Sequence, residues 1–383
     1  MFPTSLMRMP WEDAFRRKAE RVLARAGVQI DGPNDWDFQV RDPRVFRRAF
    51  AQGSLGVGEA YMDGWWDARR LDQFFHRVIA ARVDREIRPL RVLATHLRAR
   101  LLNLQTEARA WHVGRAHYDL GNELYRAMLD ERMIYSCAYW AEGARTLDEA
   151  QVAKLDLICR KLALRPGMRV LDIGCGWGGF ARFAAERYGV EVVGVTISER
   201  QAELARERCA GLPVDIRLCD YRNLDGRFDR IVSVGMFEHV GHKNHRAYFE
   251  VALRLLEPGG LFLLHTIADE VSNVGTDPWI ERYIFPNGDI PSLTQIAEAT
   301  EDLFVIEDVH NFGADYDRTL MAWLDNFERA WPRLQGRYDE RFQRMWRFYL
   351  CSCAGAFRAR QLQLYQVVLS PRGVPGGYRR VGA

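Results

Sequence analysis

The sequence predicts a doubly wound α/β fold that follows a small helical domain. In its second half, short apolar segments alternate with segments of helical periodicity, which is the pattern of a parallel sheet covered by helices on both faces. The N-terminal part instead contains two helix-length segments, 11–26 and 43–51, separated by glycine- and proline-containing turns. At 383 residues, the chain is also longer than one ordinary domain. We predict a helical domain over 1–93, a basic linker over 94–113 and an α/β domain over 114–383.

The elements of the α/β domain follow from apolar periodicity and from helix-capping residues. Thr146 and Glu149 have capping-box spacing, which predicts a helix that continues to about 163. Pro258 and the two glycines after it interrupt the chain before the last strand of the alternating region. The predicted helices are 178–188, 198–210 and 246–257, and the predicted strands are 169–173, 190–196, 214–219, 229–235, 261–267 and a closing strand at 364–369.

The stretch 169–179 is the most informative motif of the chain. Its apolar run ends in a turn with Gly174, Gly176 and Gly178, and a helical segment follows. Glycine lets a backbone lie close to a nucleotide-type ligand. The GxGxG spacing differs from the GxGxxG of dinucleotide folds and is typical of S-adenosylmethionine sites, although a tight turn without a ligand has the same pattern. We therefore predict a Rossmann-like, class I S-adenosylmethionine-dependent methyltransferase fold.

Ligands of such sheets bind beyond the carboxyl ends of the strands, so the residues there form the candidate cofactor site. Asp220 ends the third strand, where a carboxylate can accept a hydrogen bond from the adenine amino group. The second strand ends in Thr196, where most methyltransferases of this fold have an acidic residue for the ribose hydroxyls, and Gln201 is the nearest replacement. Ser198 and Gln201 also have capping-box spacing, and the two roles are compatible. The candidate cofactor-binding residues at these strand ends are Asp172, Gly174, Cys175, Gly176, Gly178, Gly179, Thr196, Ser198, Gln201, Asp220 and Tyr221.

Composition narrows the class of protein and its compartment. No apolar run approaches the roughly 20 residues of a membrane-spanning helix, and charged residues interrupt the N-terminus where a signal peptide is apolar. The seven cysteines have neither disulfide-framework nor zinc-site spacing. These features predict a cytoplasmic protein without a bound metal. Residues 1–115 contain 21 Lys and Arg against 14 Asp and Glu, which suits phospholipid, nucleic acid or an ordinary solvated surface.

Several further motifs carry a family resemblance. They are AHYDLGN at 116–122, YSCAYW at 135–140, SVGMFEHVG at 233–241, YIFPNG at 283–288 and NFGADY at 311–316. From about residue 11 to 370, the chain resembles the bacterial cyclopropane-fatty-acyl-phospholipid synthases. The N-terminal motif GSLGVGEAYMDGWW at 53–66 resembles the membrane-acting form of that family, whereas the related mycolic-acid enzymes lack this domain.

The resemblance implies an enzyme that transfers a methylene group from S-adenosylmethionine to the cis double bond of an unsaturated acyl chain in a membrane phospholipid. It also implies a carbocation that a bound bicarbonate ion deprotonates. The residues that match the family positions around this ion are Cys137, Glu238, His265, Tyr316 and the backbone of Ile267. Since two neighbouring oxyacids do not both ionise readily, we expect Glu238 and bicarbonate to share a proton. Tyr135 and Ser136 match the cofactor-contact pair of the family.

Cys353 also matches a family cysteine, as a catalytic residue or as a structural one near the acyl chain. No cationic residue adjoins it in sequence to favour a nucleophilic thiolate. The implied partners are phospholipid acyl chains at the membrane surface and a second copy of the chain in a homodimer, without nucleic acid. The implied location is peripheral and reversible, on the cytoplasmic surface of the inner membrane. Three alternatives stay open: a lipid C-methyltransferase that leaves a methyl branch, a nucleic-acid methyltransferase and a non-catalytic lipid-binding module.

Overall fold

The computed structural model describes four stretches of the chain, residues 10–83, 121–141, 143–273 and 275–381. The predicted basic linker at 94–113 lies outside the described residues. The helices and strands of the described stretches are α1 (Pro10–Ala24), β1 (Gln39–Val40), α2 (Arg44–Gln52), α3 (Ser54–Met62), β2 (Trp66–Asp67), α4 (Leu71–Ala80), α5 (Asn122–Met128), α6 (Leu147–Lys161), β3 (Arg169–Ile173), α7 (Gly179–Tyr188), β4 (Glu191–Thr196), α8 (Glu199–Arg208), β5 (Val214–Leu218), β6 (Phe228–Val234), α9 (His245–Leu255), β7 (Leu256–Asp269), α10 (Pro278–Tyr283), α11 (Leu293–Thr300), β8 (Val305–Asn311), α12 (Ala314–Leu334), α13 (Glu340–Arg358) and β9 (Leu362–Ser370).

The chain forms two compact units. The N-terminal unit consists of the described residues before position 98 together with Asp277–Ile284 and Trp331–Gln361. The other described residues form the second unit, which we call the sheet unit. The predicted α/β domain at 114–383 therefore includes two segments that pack with the N-terminal helices, a difference that apolar periodicity along the chain does not reveal.

Helices α3, α10 and α13 build much of the interior of the N-terminal unit. The ring of Phe348 lies 4.4 Å from that of Trp279 and 5.5 Å from that of Tyr61, measured between centroids. Gly58 of α3 lies directly under the indole of Trp279, so that a Cβ at this position would overlap the ring. Gly58, one of the glycines of the GSLGVGEAYMDGWW motif, thus allows α3 and α10 to pack closely.

The sheet unit contains a seven-stranded sheet in the order β5-β4-β3-β6-β7-β9-β8. The first five strands of this order are parallel, as predicted, and β3 coincides with the predicted strand 169–173. The chain order reverses between β3 and β6, which creates the crevice where ligands bind in doubly wound sheets. The capping box at Thr146 and Glu149 is present and begins α6.

One edge of the sheet differs from the predicted parallel arrangement. The closing strand β9 runs antiparallel to β7 and to β8, and β8 itself was not predicted. β8 has no period-two pattern of buried apolar residues, since Val305 and Ile306 are both exposed and polar side chains follow them. Its position is fixed by pairing with β9 instead.

Helices cover both faces of the sheet. Val170 of β3 belongs to a core cluster with Phe183 of α7, whereas Leu171 belongs to a second cluster with Phe249 of α9. Neighbouring residues of one strand point to opposite faces, so each face of β3 has its own helical cover. Among the described residues, no helix is long and apolar enough to cross a membrane.

Candidate active site

The glycine turn after β3 lies at the reversal point of the sheet. Gly174, Gly176 and Gly178 have φ angles of 82°, 54° and 76°, in the left-handed region that favours glycine. A Cβ on Gly174 would lie 2.7 Å from Met236 Cγ, which is closer than side-chain carbons approach one another. The turn therefore needs glycine for its backbone conformation and, at Gly174, for space.

Cys175 and Gly179 fix this turn to its surroundings. The N–H of Cys175 donates to Val195 O at 2.9 Å, and burial raises the pKa of the Cys175 thiol well above its usual value. Gly179 begins α7, and a Cβ there would lie 2.8 Å from the carbonyl oxygen of Arg132. Both residues therefore fix the position of the turn relative to β4 and to the segment around Arg132.

The end of β4 is a small network of polar side chains. The Thr196 hydroxyl donates to Gln201 Oε1 at 2.8 Å, and the N–H of Ser198 donates to Thr196 Oγ1 at 3.2 Å. Ser198 caps α8 by accepting from the N–H of Gln201. The Gln201 side chain turns to Thr196 and not to the helix N-terminus, so its amide NH2 group is suited to donate to a ribose hydroxyl.

Asp220 is buried at the end of β5 and has a partner that the sequence did not suggest. Both of its carboxylate oxygens accept from the Arg222 guanidinium, at 2.8 and 2.6 Å. Oδ1 also accepts from the backbone N–H of Arg222, so Oδ2 is the oxygen that keeps a lone pair for an adenine amino group, in a position that the arginine orients. Tyr221 packs edge-on against Tyr248 at 5.2 Å, and burial raises the pKa of its phenol to about 12, so it presents an uncharged ring.

The YSCAYW motif contributes two further residues, Tyr135 and Ser136, to the candidate cofactor site. Tyr135 lies 5.3 Å from the ring of Tyr125 and 5.1 Å from that of Trp323. Ser136 is buried, and its Oγ lies 2.8 Å from Nζ of Lys154. A Cβ on Gly235 would lie 3.7 Å from Ser136 Cβ, which places the motif beside the end of β6.

Asp172, at the end of β3, has a buried carboxylate oxygen that lacks a hydrogen bond. Its Oδ2 has no partner among the residues that the structure describes. Burial raises the pKa of Asp172 to about 7, and the nearby Lys154 ammonium opposes this shift. Buried polar atoms of native proteins are almost always paired. An orphaned carboxylate oxygen next to the glycine turn therefore fits a positively charged ligand group such as an amino-acid ammonium.

Glu238 lies just after β6 and is also incompletely paired. Its Oε1 accepts from the N–H of Ile267 at 2.8 Å, whereas Oε2 is buried with no partner among the described residues. Burial raises the pKa of Glu238 to about 7, and the Ile267 hydrogen bond opposes this. The N–H of Asp289 donates to the backbone oxygen of Glu238 at 2.8 Å. One oxygen of the carboxyl group is thus held by a hydrogen bond, and the other is available to a ligand.

His265 on β7 is a buried, neutral imidazole. Its Nδ1 lies 3.3 Å from the Gln366 side-chain nitrogen, so Gln366 donates and the ring proton is on Nε2. Nε2 is buried and has no hydrogen-bond partner in the described part of the chain. Burial, followed by the positive charges of Lys154 and Lys161, lowers the pKa of His265 well below its usual value. The ring therefore offers one N–H to a ligand.

Tyr316 lies in the first turn of α12, and the segment that contains Cys137 is attached to the same helix. The N–H of Ala138 donates to Thr319 Oγ1 at 3.1 Å, which attaches the Cys137 segment to the first turns of this helix. Burial and the nearby Asp315 carboxylate raise the pKa of Cys137 well above its usual value, so the group is a thiol. Tyr316 is 8% exposed and packs edge-on against Trp323.

Packing connects α12 to the His265 strand. The ring of Phe312, just before α12, lies 5.8 Å from the His265 ring. The N–H of Phe312 donates to Leu364 O, and Leu364 is the register partner of Ile267. The structure therefore holds Glu238 against Ile267, two residues after His265, and places the start of α12, with Tyr316 and the attached Cys137 segment, beside the same strand.

Cys353 is placed differently from the other candidate catalytic residues. It lies on α13 and belongs to the N-terminal unit. Burial, and then the Asp277 carboxylate, raise the pKa of its thiol to about 12. A nucleophilic thiolate is not favoured there.

Besides Arg222, three polar residues near the candidate site were missed in the sequence. Gln366 orients His265, and Asp289 supports Glu238 through its backbone and accepts from both the N–H of His242 and the N–H of Gly275. Both roles depend on strand register and loop closure. For Lys154 the sequence does contain a weak signal. The residue lies four residues after the buried Ala150 and therefore on the buried side of α6, where a lysine is unusual.

The order of the sheet, the glycine turn and the polar residues at the strand ends define a class I S-adenosylmethionine-dependent methyltransferase. Residues 105–367 match the protein family described as mycolic acid cyclopropane synthetase. The chain belongs to this family.

Comparison with individual proteins extends the match over both units. The chain is 56% identical to the cyclopropane-fatty-acyl-phospholipid synthase of Escherichia coli (strain K12) over 373 residues, or 96% of each chain. Two solved structures from cyclopropane synthases are similar to the chain. The synthase MmaA2 from Mycobacterium tuberculosis has a TM-score of 0.64 at 32% identity and covers 70% of this chain and 99% of its own. The mycolic acid cyclopropane synthase CmaA1, in complex with SAH and CTAB, has a TM-score of 0.63 at 34% identity and covers 68% and 97%.

Proposed function

We propose that this enzyme transfers a methylene group from S-adenosylmethionine to the cis double bond of an unsaturated acyl chain in a membrane phospholipid, giving a cyclopropane ring. One carbon–sulfur bond breaks, two carbon–carbon bonds form and one proton leaves the transferred carbon. The observation that carries the proposal is the pair of buried atoms, Glu238 Oε2 and His265 Nε2, that have no hydrogen-bond partner among the described residues. The similarity to a cyclopropane-fatty-acyl-phospholipid synthase over 96% of the chain supports the lipid substrate.

The described residues fit S-adenosylmethionine, which supplies the activated methyl carbon when bound. Asp172 Oδ2 would accept from its ammonium and Ser136 Oγ would face its carboxylate. Gln201 and Thr196 would face its ribose, and Asp220 its adenine. Each group is buried or held by a hydrogen bond, so little reorganisation accompanies binding.

The residues at the ends of β6 and β7 fit a small oxyanion such as bicarbonate, which would supply a base when bound. His265 Nε2–H would donate to it, and the carboxyl of Glu238 would share a proton with it, because its pKa of about 7 lies near neutrality. Cys137 and Tyr316 would add further donors without charge. A base inside a dry pocket removes a proton from a cation while water is excluded, which prevents formation of an alcohol.

The role of Cys353 is a separate proposal. Because it has a neutral thiol in the N-terminal unit, we assign Cys353 a structural role within α13 and no part in proton transfer.

The direct test uses unsaturated phospholipid vesicles, S-adenosylmethionine and bicarbonate. Gas chromatography of the released acyl chains is expected to show cyclopropane products, whereas saturated vesicles give none. In carbon-dioxide-free buffer, the rate is expected to fall and to recover when bicarbonate is added. A methyl-branched product, or methyl transfer to DNA or RNA without transfer to lipid, would replace the proposal with one of the alternatives. A rate that does not depend on bicarbonate would contradict bicarbonate as the base but would leave the proposed methylene transfer in place.

We further propose that the enzyme acts as a homodimer at the membrane surface, through its basic N-terminal unit. The guanidinium groups of Arg44 and Arg48 lie 4.7 and 4.9 Å above the ring of Trp65, which makes a cationic and aromatic surface of the kind found at lipid headgroups. Both arginines also pair with aspartates, Arg44 with Asp42 and Arg48 with Asp63, so the attraction to anionic lipid is moderate and reversible.

Flotation with anionic vesicles across a salt series tests this attachment. Binding is expected to weaken as salt rises, and a double charge reversal, Arg44→Glu with Arg48→Glu, to weaken it further at low salt. Binding that does not change with salt would indicate hydrophobic insertion. Sedimentation equilibrium tests the dimer, and a monomer at all concentrations would contradict it.

A further inference from the structure

Lys154 is a fully buried lysine on α6, inside the sheet unit. Its relative exposure is 0%, and its Nζ lies 2.8 Å from Ser136 Oγ. A buried ammonium is costly unless other groups compensate it, so a lysine here needs a physical reason. The same helix also buries the apolar Leu155 and Ile158, so burial alone does not explain a lysine at this position.

The charged and titratable groups around Lys154 come from several elements. The carboxylates of Asp130, before the YSCAYW motif, and of Asp172, on β3, favour its charged form, while burial opposes it. The thiol of Cys137 and the imidazole of His265 also lie within electrostatic range. Lys154 is thus within electrostatic range of both the proposed methyl-donor residue Asp172 and two residues proposed to surround the base, Cys137 and His265.

Asp130 and Asp172 differ in what they can bind. The two oxygens of Asp130 accept from the N–H groups of Arg132 and Ile134, at 3.0 and 2.7 Å. Asp130 is therefore committed to the local turn. Asp172 Oδ2 has no hydrogen-bond partner among the described residues, so it is the carboxylate that can respond to a ligand.

We propose that Lys154 is a positioning residue for the amino-acid end of S-adenosylmethionine: it orients the Ser136 hydroxyl as a donor and favours the ionised form of the Asp172 carboxylate. The proposal rests on the proposed function, in that Ser136 and Asp172 belong to the methyl-donor site. An ammonium group can only donate hydrogen bonds, so Ser136 Oγ accepts from Lys154. The hydroxyl proton of Ser136 then points to a second group, and a ligand carboxylate is a suitable acceptor.

The same charge acts on Asp172 at longer range. Two groups of opposite charge in a low-dielectric interior favour each other's ionised form. An ionised Asp172 accepts hydrogen bonds from the ligand ammonium. Lys154 therefore favours Ser136 as a hydrogen-bond donor to the ligand carboxylate and Asp172 as an acceptor from the ligand ammonium. It does both without contacting the ligand.

The chain provides a matched control in Lys161, seven residues later on the same helix. Lys161 is also fully buried, but its Nζ lies 3.4 Å from Asp308 Oδ2 and 3.1 Å from His310 Nδ1, at the β8 edge of the sheet. Lys154→Met and Lys161→Met each remove one buried charge from one helix. Only the first removes the contact with Ser136.

Isothermal titration calorimetry with two ligands tests the proposal on the full chain. S-adenosylhomocysteine has the amino-acid end, and 5′-methylthioadenosine lacks it. Lys154→Met is expected to raise the Kd for S-adenosylhomocysteine roughly tenfold to a hundredfold and to leave the Kd for 5′-methylthioadenosine within about twofold. Lys161→Met is expected to change neither. The double variant Lys154→Met with Ser136→Ala is expected to be no weaker than Lys154→Met alone, because the two groups act as one.

An unchanged affinity of Lys154→Met for S-adenosylhomocysteine would overturn the proposal, as would an equal loss for both ligands, which is the sign of a merely structural role. Additive losses in the double variant would also overturn the coupling to Ser136. If Lys154→Met does not fold, Lys154→Gln removes the charge while keeping a polar side chain, and the same criteria apply. These are binding measurements, so they stay distinct from the lipid-product assay that decides the proposed function.

Discussion

Replacing Glu238 with Gln separates catalysis from stability, because the two should change in opposite directions. Gln keeps the size of the side chain and an oxygen that accepts from the N–H of Ile267 at 2.8 Å. It removes the proton-sharing carboxyl group. Since a positioned acid or base typically contributes 10²–10⁴-fold, we expect the rate of cyclopropane formation to fall by roughly that factor.

The effect on stability follows from the pKa of Glu238, which burial raises from 4.5 to about 7. The unfolded chain ionises this group near its usual pKa, while the folded chain holds it neutral until about pH 7. Rising pH between these values therefore stabilises the unfolded state of the wild type. A difference of about 2.5 pH units corresponds to about 3 kcal/mol. The ligand-free Glu238→Gln variant should be more stable than the wild type by up to that amount at pH 8, and by less than about 1 kcal/mol at pH 5.

Denaturant unfolding at pH 5 and pH 8, without bicarbonate or cofactor, measures the stability difference, and gas chromatography measures the product. Glu298→Gln is the matched control, because Glu298 is exposed on α11 and should affect neither measurement. Retention of the wild-type rate by Glu238→Gln would refute the assignment of the base. A wild type that is more stable than the variant at pH 8 would refute the description of a buried, costly carboxyl group.

Two further predictions concern packing and the cofactor. Gly58→Ala should destabilise the N-terminal unit by about 1–3 kcal/mol, because a Cβ would overlap the buried indole of Trp279, whereas Gly336→Ala, which meets no atom within 4 Å, should stay within about 0.5 kcal/mol in the same unfolding experiment. An equal effect of both would contradict the packing of α3 against α10. Asp172→Asn should weaken S-adenosylhomocysteine binding roughly tenfold to a hundredfold in calorimetry, since it removes the acceptor charge at the unpartnered Oδ2, and unchanged binding would exclude Asp172 from the ligand contacts.

Local chemistry made much of the fold predictable. The capping box at Thr146 and the apolar run of β3 are signals contained within a few residues, and both were confirmed. β8 carries no such signal, because its polar, partly exposed residues gain their structure from pairing with β9. Its antiparallel direction depends on a partner about sixty residues further along the chain.

The candidate site likewise combines features that short sequence motifs predict with contacts that depend on distant parts of the chain. The glycine turn and the motif residues were predicted because short motifs keep their spacing, whereas their partners come from distant segments. Gln366 meets His265 only through the register of β9 with β7. Arg222 is two residues from Asp220, yet its bidentate contact depends on a rotamer that spacing does not specify. The sequence therefore predicts candidate groups for the site but not the hydrogen bonds that orient them.

Transfer of a methylene group, with loss of one proton from the methyl carbon, can be read directly from isotopes. The enzyme is incubated with unsaturated phospholipid vesicles and S-adenosylmethionine that carries a trideuterated methyl group, and the acyl chains are analysed by mass spectrometry. The structure of the site predicts a cyclopropane acyl chain that retains two of the three deuterium atoms. A branched acyl chain that retains all three would contradict the presence of a working base at Glu238 and His265.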